Sequence, residues 1–122
     1  MRILITGGTG FIGSNLVLYW LQHHPQDHIF NLDALTYAGN LLNLKEVEGN
    51  SNYHFLHADL RQTDVVKKIF IEHKIEGVLH LAAESHVDRS INGPADFIET
   101  NILGTFHLLD SITLSNCLFI SR

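Results

Sequence analysis

The chain has 122 residues and a mass of 13.8 kDa, room for one domain of ordinary size rather than two. Hydrophobic residues make up 45% and charged residues 17%, which excludes an intrinsically disordered chain. Eight basic against thirteen acidic residues leave a net charge of −5, so the electrostatic footprint of a nucleic-acid binder is missing. Cys117 is the single cysteine, which rules out an internal disulfide and points to a reducing, cytoplasmic compartment. No apolar run approaches the roughly 18–20 residues of a membrane span. The run Ile3-Leu4-Ile5 stops at Thr6-Gly7-Gly8, too short for the apolar stretch of a signal peptide.

Arg2 to Thr6 is a short apolar run closed by glycines and reads as a buried strand. Phe11 to Gln22 is apolar, of helix length, and stops before Pro25. His28 to Asp33 is a second strand. Asn40 to Glu48 reads as a short helix, with Leu41, Leu44 and Val47 three apart and Gly49 as its stop. Tyr53 to His57 is a third strand. Arg61 to Lys74 is helical, with Val65, Ile69, Val66 and Phe70 assigned to its buried face. Glu76 to Ala82 is a fourth strand, Ala95 to Ile112 a long helix after Pro94, and Cys117 to Ser121 a fifth strand. Strands alternating with helices imply right-handed crossovers and a parallel sheet covered on both faces. The expected fold is therefore α/β, a doubly wound parallel sheet of about five strands forming one incomplete dinucleotide-binding domain over residues 1–122. A sheet that ends on a core strand lacks that strand's covering helix. That predicts marginal stability and self-association through the edge.

The strongest local signal is Thr6-Gly7-Gly8-Thr9-Gly10-Phe11-Ile12-Gly13, which holds both Gly8-x-Gly10-x-x-Gly13 and Gly7-x-x-Gly10-x-x-Gly13. The first glycine permits the tight strand-to-helix turn. Gly10 lets a pyrophosphate approach the backbone, and Gly13 lets the following helix pack closely. The helix N-terminus offers amides and a positive dipole end to phosphates. Such a glycine pattern is weak alone, but here it follows a strand and opens a helix. Asp33 stands 20 residues after Gly13 at the end of the second strand, where a carboxylate accepts the adenosine ribose hydroxyls. It would also repel a 2′-phosphate, and no Lys or Arg lies between Asp33 and Lys45 to offset it, so NAD is favoured over NADP. The nine histidines show no metal-ligand spacing: His54 and His57 fall on opposite faces of a strand, and no metal site is expected.

The opening Ile5–Gly13 resembles the extended short-chain dehydrogenase/reductase family. Two further blocks, Leu32–Asn40 and His80–Ile91, resemble in particular the group of dTDP-glucose 4,6-dehydratases within it, and Phe97–Thr105 agrees. The likeness covers about residues 1–110. It implies a Rossmann-type fold with NAD as cofactor, and places residues one by one. Gly7, Gly10, Phe11, Ile12 and Gly13 follow the pyrophosphate turn. Asp33, Ala34, Leu35, Thr36 and Gly39 surround the adenosine ribose, and Asp59 and Leu60 contact the adenine. Leu81, Ala82, Ala83, Glu84 and Ser85 run beside the nicotinamide half, with Thr100 from the next helix, and Ser85 also reaches the sugar nucleotide. Structural alternatives stand beside several of these. Asp59 could instead cap the helix beginning near Arg61. Ala82 and Ala83 could be small for packing. Arg89 could pair with Asp88 or Asp96 rather than hold a phosphate. Glu84-Ser85-His86 is no catalytic triad, because immediate neighbours cannot aim at one another across a site.

The reaction implied by the resemblance oxidises the sugar at C4, eliminates water across C5 and C6, and returns the hydride to C6. In that family a Tyr-x-x-x-Lys pair and an Asp and Glu after Ser-Thr supply the proton transfers. Here Tyr19, Tyr37 and Tyr53 are followed four residues on by His23, Leu41 and His57, and the chain reads Ser121-Arg122 where the Ser-Thr block would begin. No catalytic residue is therefore assigned. The implied partners are dTDP-glucose and a second copy in a full-length homodimer. Two rivals stay open: a related UDP-sugar epimerase or decarboxylase, and a truncated, non-catalytic or decayed product.

Overall fold

In the computed structural model, residues 1–35, 41–82, 95, 99–113 and 118–121 are described. The apolar run after Met1 forms β1 (Arg2–Thr6), buried on both faces, which is why it does not alternate with polar residues. Four further strands pair in parallel: β2 (His28–Asp33), β3 (Tyr53–His57), β4 (Gly77–His80) and β5 (Leu118–Ser121). Their spatial order is β3-β2-β1-β4-β5. The chain winds outward from β1 through β2 to β3, then crosses back to β4 on the other side of β1. That reversal opens a crevice beyond the C-terminal ends of β1 and β4, the usual ligand position in an open α/β sheet.

Register decides which side chains share a face. Ile3 lies opposite Ile29 and Gly77, and Leu4 opposite Phe30 and Val78. One face carries Leu4, Phe30, Leu32 and Val78, packed on α2 (Thr63–His73) and α3 (Gly104–Ile112) through Val66, Ile69, Phe70 and Leu108. The other carries Ile3, Ile5 and Ile29, packed on α1 (Phe11–His23) through Val17 and Leu21 and on the segment Leu41–Val47 through Leu44. Each such buried side chain contributes about 1.5–3 kcal/mol, so two filled faces hold the strand ends in fixed relation.

The structure departs from the sequence expectations at several places. Leu41–Val47 is a 3-10 run interrupted at Leu44 (φ −118°, ψ 17°), and the three-residue spacing of Leu41, Leu44 and Val47 is the period of that tighter helix. α2 starts at Thr63 rather than Arg61, and Val65 is exposed while its neighbour Val66 is fully buried. β4 is shorter than expected, ending at His80. The helix expected over 95–112 is not one α-helix in its described part: a π turn, Glu99–Leu103, precedes α3. Residues 83–94 and 96–98, with Arg89, lie outside the described residues.

Candidate functional site

The loop between β1 and α1 turns on Gly7, whose φ of +74° disfavours any side chain; a Cβ there would also stand 2.8 Å from the Ala82 amide nitrogen. The loop amides are spent internally. Gly7 donates to the Leu32 carbonyl (3.0 Å), Gly8 to Asn31 Oδ1 (3.0 Å), Thr9 to Asp33 Oδ2 (3.1 Å) and Gly10 to the Gly7 carbonyl (3.2 Å). Ser14 then donates to the Gly10 carbonyl (2.9 Å), the first bond of α1. The amides left at the open end of the helix are those of Phe11, Ile12 and Gly13. Gly10 caps them without a side-chain bond, and no acidic residue stands in the first turn. The Phe11 and Ile12 side chains are exposed, at 83% and 46%. An uncapped helix start of this kind suits an anion such as a phosphate.

Asp33 ends β2 beside that helix start and is buried. Its Oδ2 accepts the Thr9 amide and the Thr9 hydroxyl, and its Oδ1 accepts the Leu35 amide (2.8 Å). Leu35 sits in the left-handed region (φ +55°), a conformation unfavourable for leucine that this bond helps to hold. A carboxylate offers about four lone-pair positions. Three are used here, and the remaining one, on Oδ1, can accept a hydroxyl.

Across the crevice, Thr6 and His80 end β1 and β4. Thr6 Oγ1 lies 2.7 Å from His80 Nδ1 and accepts the amides of Leu81 and Ala82, each at 3.2 Å. His80 Nε2 lies 2.9 Å from Thr105 Oγ1, and the Thr105 hydroxyl donates its proton to the Asn101 carbonyl (2.9 Å). The Thr105 oxygen is therefore the acceptor from His80. That makes His80 the Nε2–H tautomer and Thr6 the donor to Nδ1. Burial holds the His80 pKa below its ordinary 6.5, which favours this neutral ring.

On the far side of β2, Asp59 follows β3. It does not cap α2, whose N-cap is Gln62 without a side-chain bond. Instead Asp59 Oδ1 accepts the Arg61 amide (2.9 Å) and Oδ2 takes Arg61 Nε (2.9 Å) and Nη2 (2.6 Å). Burial pushes the Asp59 pKa up, but these bonds from Arg61 outweigh it and leave the carboxyl below its ordinary 3.8. Leu60 belongs to the core, at 4% exposure, and its carbonyl accepts His107 Nδ1 at 2.8 Å.

Gly7, Gly10, Phe11, Ile12, Gly13, Asp33, Ala34, Leu35, Asp59, Leu60, Leu81 and Ala82 thus all lie at or just beyond the C-terminal strand ends. Thr100 lies in the π turn before α3. Thr36, Gly39, Ala83, Glu84 and Ser85 fall outside the described residues. Sequence reasoning missed Thr9, Asn31, His80 and Thr105, the groups that hold this constellation in place. Asn31 is the one with a legible signal, a polar residue inside an otherwise apolar strand. It is fully buried and bridges the Gly8 amide to the Tyr53 hydroxyl, 3.0 Å from each. Among the described residues no group of three metal-ligating side chains comes together. Nor is any helix there long and apolar enough to cross a membrane.

The family model described as GDP-mannose 4,6 dehydratase matches residues 4–120. The dTDP-glucose 4,6-dehydratase of Escherichia coli is 56% identical over 110 residues, which make up 90% of this chain and 30% of that protein. A solved dTDP-glucose 4,6-dehydratase from Streptomyces venezuelae, with NAD bound, is 41% identical with a TM-score of 0.88, the match covering 96% of this chain and 37% of that one. The UDP-glucose 4-epimerase of Thermotoga maritima, solved with UDP-glucose, is 34% identical with a TM-score of 0.87, covering 99% of this chain and 37% of that one. The chain spans about a third of the length of these relatives. It belongs to the family described as GDP-mannose 4,6 dehydratase, and the dTDP-glucose 4,6-dehydratases are its relatives within the third of their length that it spans.

Proposed function

We propose that this chain is the N-terminal, NAD-binding part of a dTDP-glucose 4,6-dehydratase. The observation that carries the reading is the meeting of the uncapped α1 start with the Asp33 carboxylate at the ends of β1 and β2. The donors and acceptors fit a dinucleotide. The amides of Phe11, Ile12 and Gly13 would hold the pyrophosphate, and the open Oδ1 position of Asp33 an adenosine ribose hydroxyl. Ala34, Leu35, Thr36 and Gly39 belong to the ribose side, and Asp59 with the Leu60 backbone to the adenine side. Leu81, Ala82, Ala83, Glu84, Ser85 and Thr100 belong to the nicotinamide side, with Ser85 also facing the sugar nucleotide.

When bound, NAD would take the hydride from C4 of dTDP-glucose and return it at C6. This chain's own residues bind and orient the cofactor. No Tyr-x-x-x-Lys pair occurs in the 122 residues, so the proton transfers fall to groups outside them. Loss of such groups typically costs about 100- to 10,000-fold each, so the isolated chain is inactive in this reading. The epimerase alternative draws on the shared fold, but the identity of 56% to a dehydratase favours the first reading. A cytoplasmic location and a full-length homodimer belong to the same proposal. Ile102 and Phe106, exposed at 61% and 60%, give an apolar surface that supports the dimer.

Calorimetric titration of the 122-residue chain with NAD and NADP tests the reading. NAD should bind, with NADP weaker by roughly tenfold or more, the worth of one like-charge repulsion of about 1.4 kcal/mol. No turnover of dTDP-glucose should accompany binding. A folded chain indifferent to NAD overturns the proposal.

A further inference from the structure

His80 has no place in the cofactor contacts assigned above, yet its ring joins both walls of the crevice. On one side Thr6, its hydrogen-bond partner, anchors the amides of Leu81 and Ala82. On the other, Thr105 links the same ring to the Asn101 carbonyl, inside the π turn Glu99–Leu103. Those two segments are the ones from which the nicotinamide-side residues Leu81, Ala82 and Thr100 come. They are some twenty residues apart in sequence, and the π turn stands where the second segment leaves ordinary α-helical bonding. The His80–Thr105 bond ties that turn, through Thr105 at the start of α3, to the end of β4.

We propose that His80 is a positioning residue for the nicotinamide end of the cofactor site. Locked as the neutral Nε2–H tautomer between Thr6 and Thr105, it holds the β4 exit and the π turn in one register. The ring transfers no proton in this role. Each of its nitrogens has a defined duty: Nδ1 accepts from Thr6 and Nε2–H donates to Thr105. The inference rests on the NAD reading for its ligand, whereas the tautomer follows from the hydrogen-bond chain alone.

Two measurements test it on the full 122-residue chain. Long-range nitrogen–proton correlation spectra of histidine-labelled protein should contain one ring with a bare Nδ1 and a slowly exchanging Nε2–H, absent in H80Q. An Nδ1–H ring or a rapidly exchanging mixture at His80 overturns the proposal. The second measurement compares affinity for NAD with affinity for ADP-ribose, which lacks nicotinamide, in wild type, T105V and T105S. T105V should weaken NAD by roughly fivefold, the worth of one hydrogen bond, and leave ADP-ribose nearly unchanged. T105S, which keeps the hydroxyl, should restore NAD affinity. Equal effects on both ligands, or none, overturn the positioning role while the NAD reading stands. Failure of wild type to bind either ligand overturns the NAD reading and the inference with it. Should T105V not fold, the spectrum of the wild-type ring still decides the tautomer lock.

Discussion

The Gly8 amide donates to Asn31 Oδ1 at 3.0 Å, and that oxygen fills the space a side chain at position 8 would need. A Cβ on Gly8 would stand 2.2 Å from Asn31 Oδ1 and 2.5 Å from its Cγ. Asn31 cannot retreat, because it is fully buried and its amide nitrogen is bonded to the Tyr53 hydroxyl. G8A should therefore cost about 2–4 kcal/mol of stability, overpacking and a strained buried hydrogen bond together. G49A is the control: its Cβ would meet nothing within 4 Å, and Gly49 has no positive φ. It should stabilise by about 0.4–1 kcal/mol by restricting the unfolded chain. Urea unfolding of both variants measures the contrast. A G8A protein as stable as wild type would refute the packing role of Asn31.

The same pair shows what a sequence can and cannot display. The bounds of β2 and β3 were legible to the residue, because their apolar and aromatic runs follow turn-forming neighbours such as Pro25 and Gly49-Asn50. Gly8 was also visible, as one member of a phosphate-loop pattern. Asn31 stood out only as a polar residue in an apolar strand; its pairing with Gly8 did not show, because the reason for the glycine lies 23 residues away on another strand. Thr9, His80 and Thr105 were hidden because their defining partners come close only in the folded chain, through strand pairing for Thr9 and His80 and through helix packing for Thr105. The π turn before α3 escaped for a different reason. One extra residue in a turn shifts the apolar stripe without erasing it, so the pattern over Ala95–Ile112 still reads as continuous helix.

Helix phase gives a second test. Val65 and Val66 are adjacent, and both fit the apolar stripe of α2 when only the sequence is considered. The structure separates them: Val66 is 0% exposed against the sheet, whereas Val65 is 37% exposed. V66A should cost about 1–3 kcal/mol, the loss of buried methyls plus the cavity they leave. V65A should stay within about 0.5 kcal/mol. Chemical denaturation of the two variants checks the order, and equal losses would mean that α2 packs in another phase.

Asp33 supports the loop as well as any ligand. Every donor around it, the Thr9 amide, the Thr9 hydroxyl and the Leu35 amide, needs an acceptor. An asparagine in its place has one acceptor oxygen and would turn an NH2 group toward a donor. D33N should therefore lose about 1–3 kcal/mol of stability even without cofactor, because a buried donor is left unpaired. Thermal melts of the cofactor-free proteins measure this. A D33N chain that keeps wild-type stability and loses only NAD affinity would show that the carboxylate serves the ligand alone.

Burial keeps the His80 pKa below its ordinary 6.5; burial, followed by His28, Arg2 and His73, does the same for His54. The unfolded chain takes up protons at these rings as pH falls through about 6.5, while the folded chain still resists them. In that window the unfolded state binds more protons, so stability is complete above it and declines as pH drops. A separate decline belongs to Asp27 and Asp59. Hydrogen bonds from the N-terminal ammonium and Trp20 hold Asp27 below 3.8, and those from Arg61 outweigh burial at Asp59, so both contributions vanish under that value. Urea midpoints should accordingly be level above about pH 7, start to fall as pH drops below about 6.5, and fall further under about pH 4. H80Q and H54Q should each flatten the first decline and leave the second in place. A midpoint that stays constant from about pH 7 to 5 in the wild type would show that both rings accept a proton in the folded state, and that the Thr6–His80–Thr105 chain tolerates a charge at its centre.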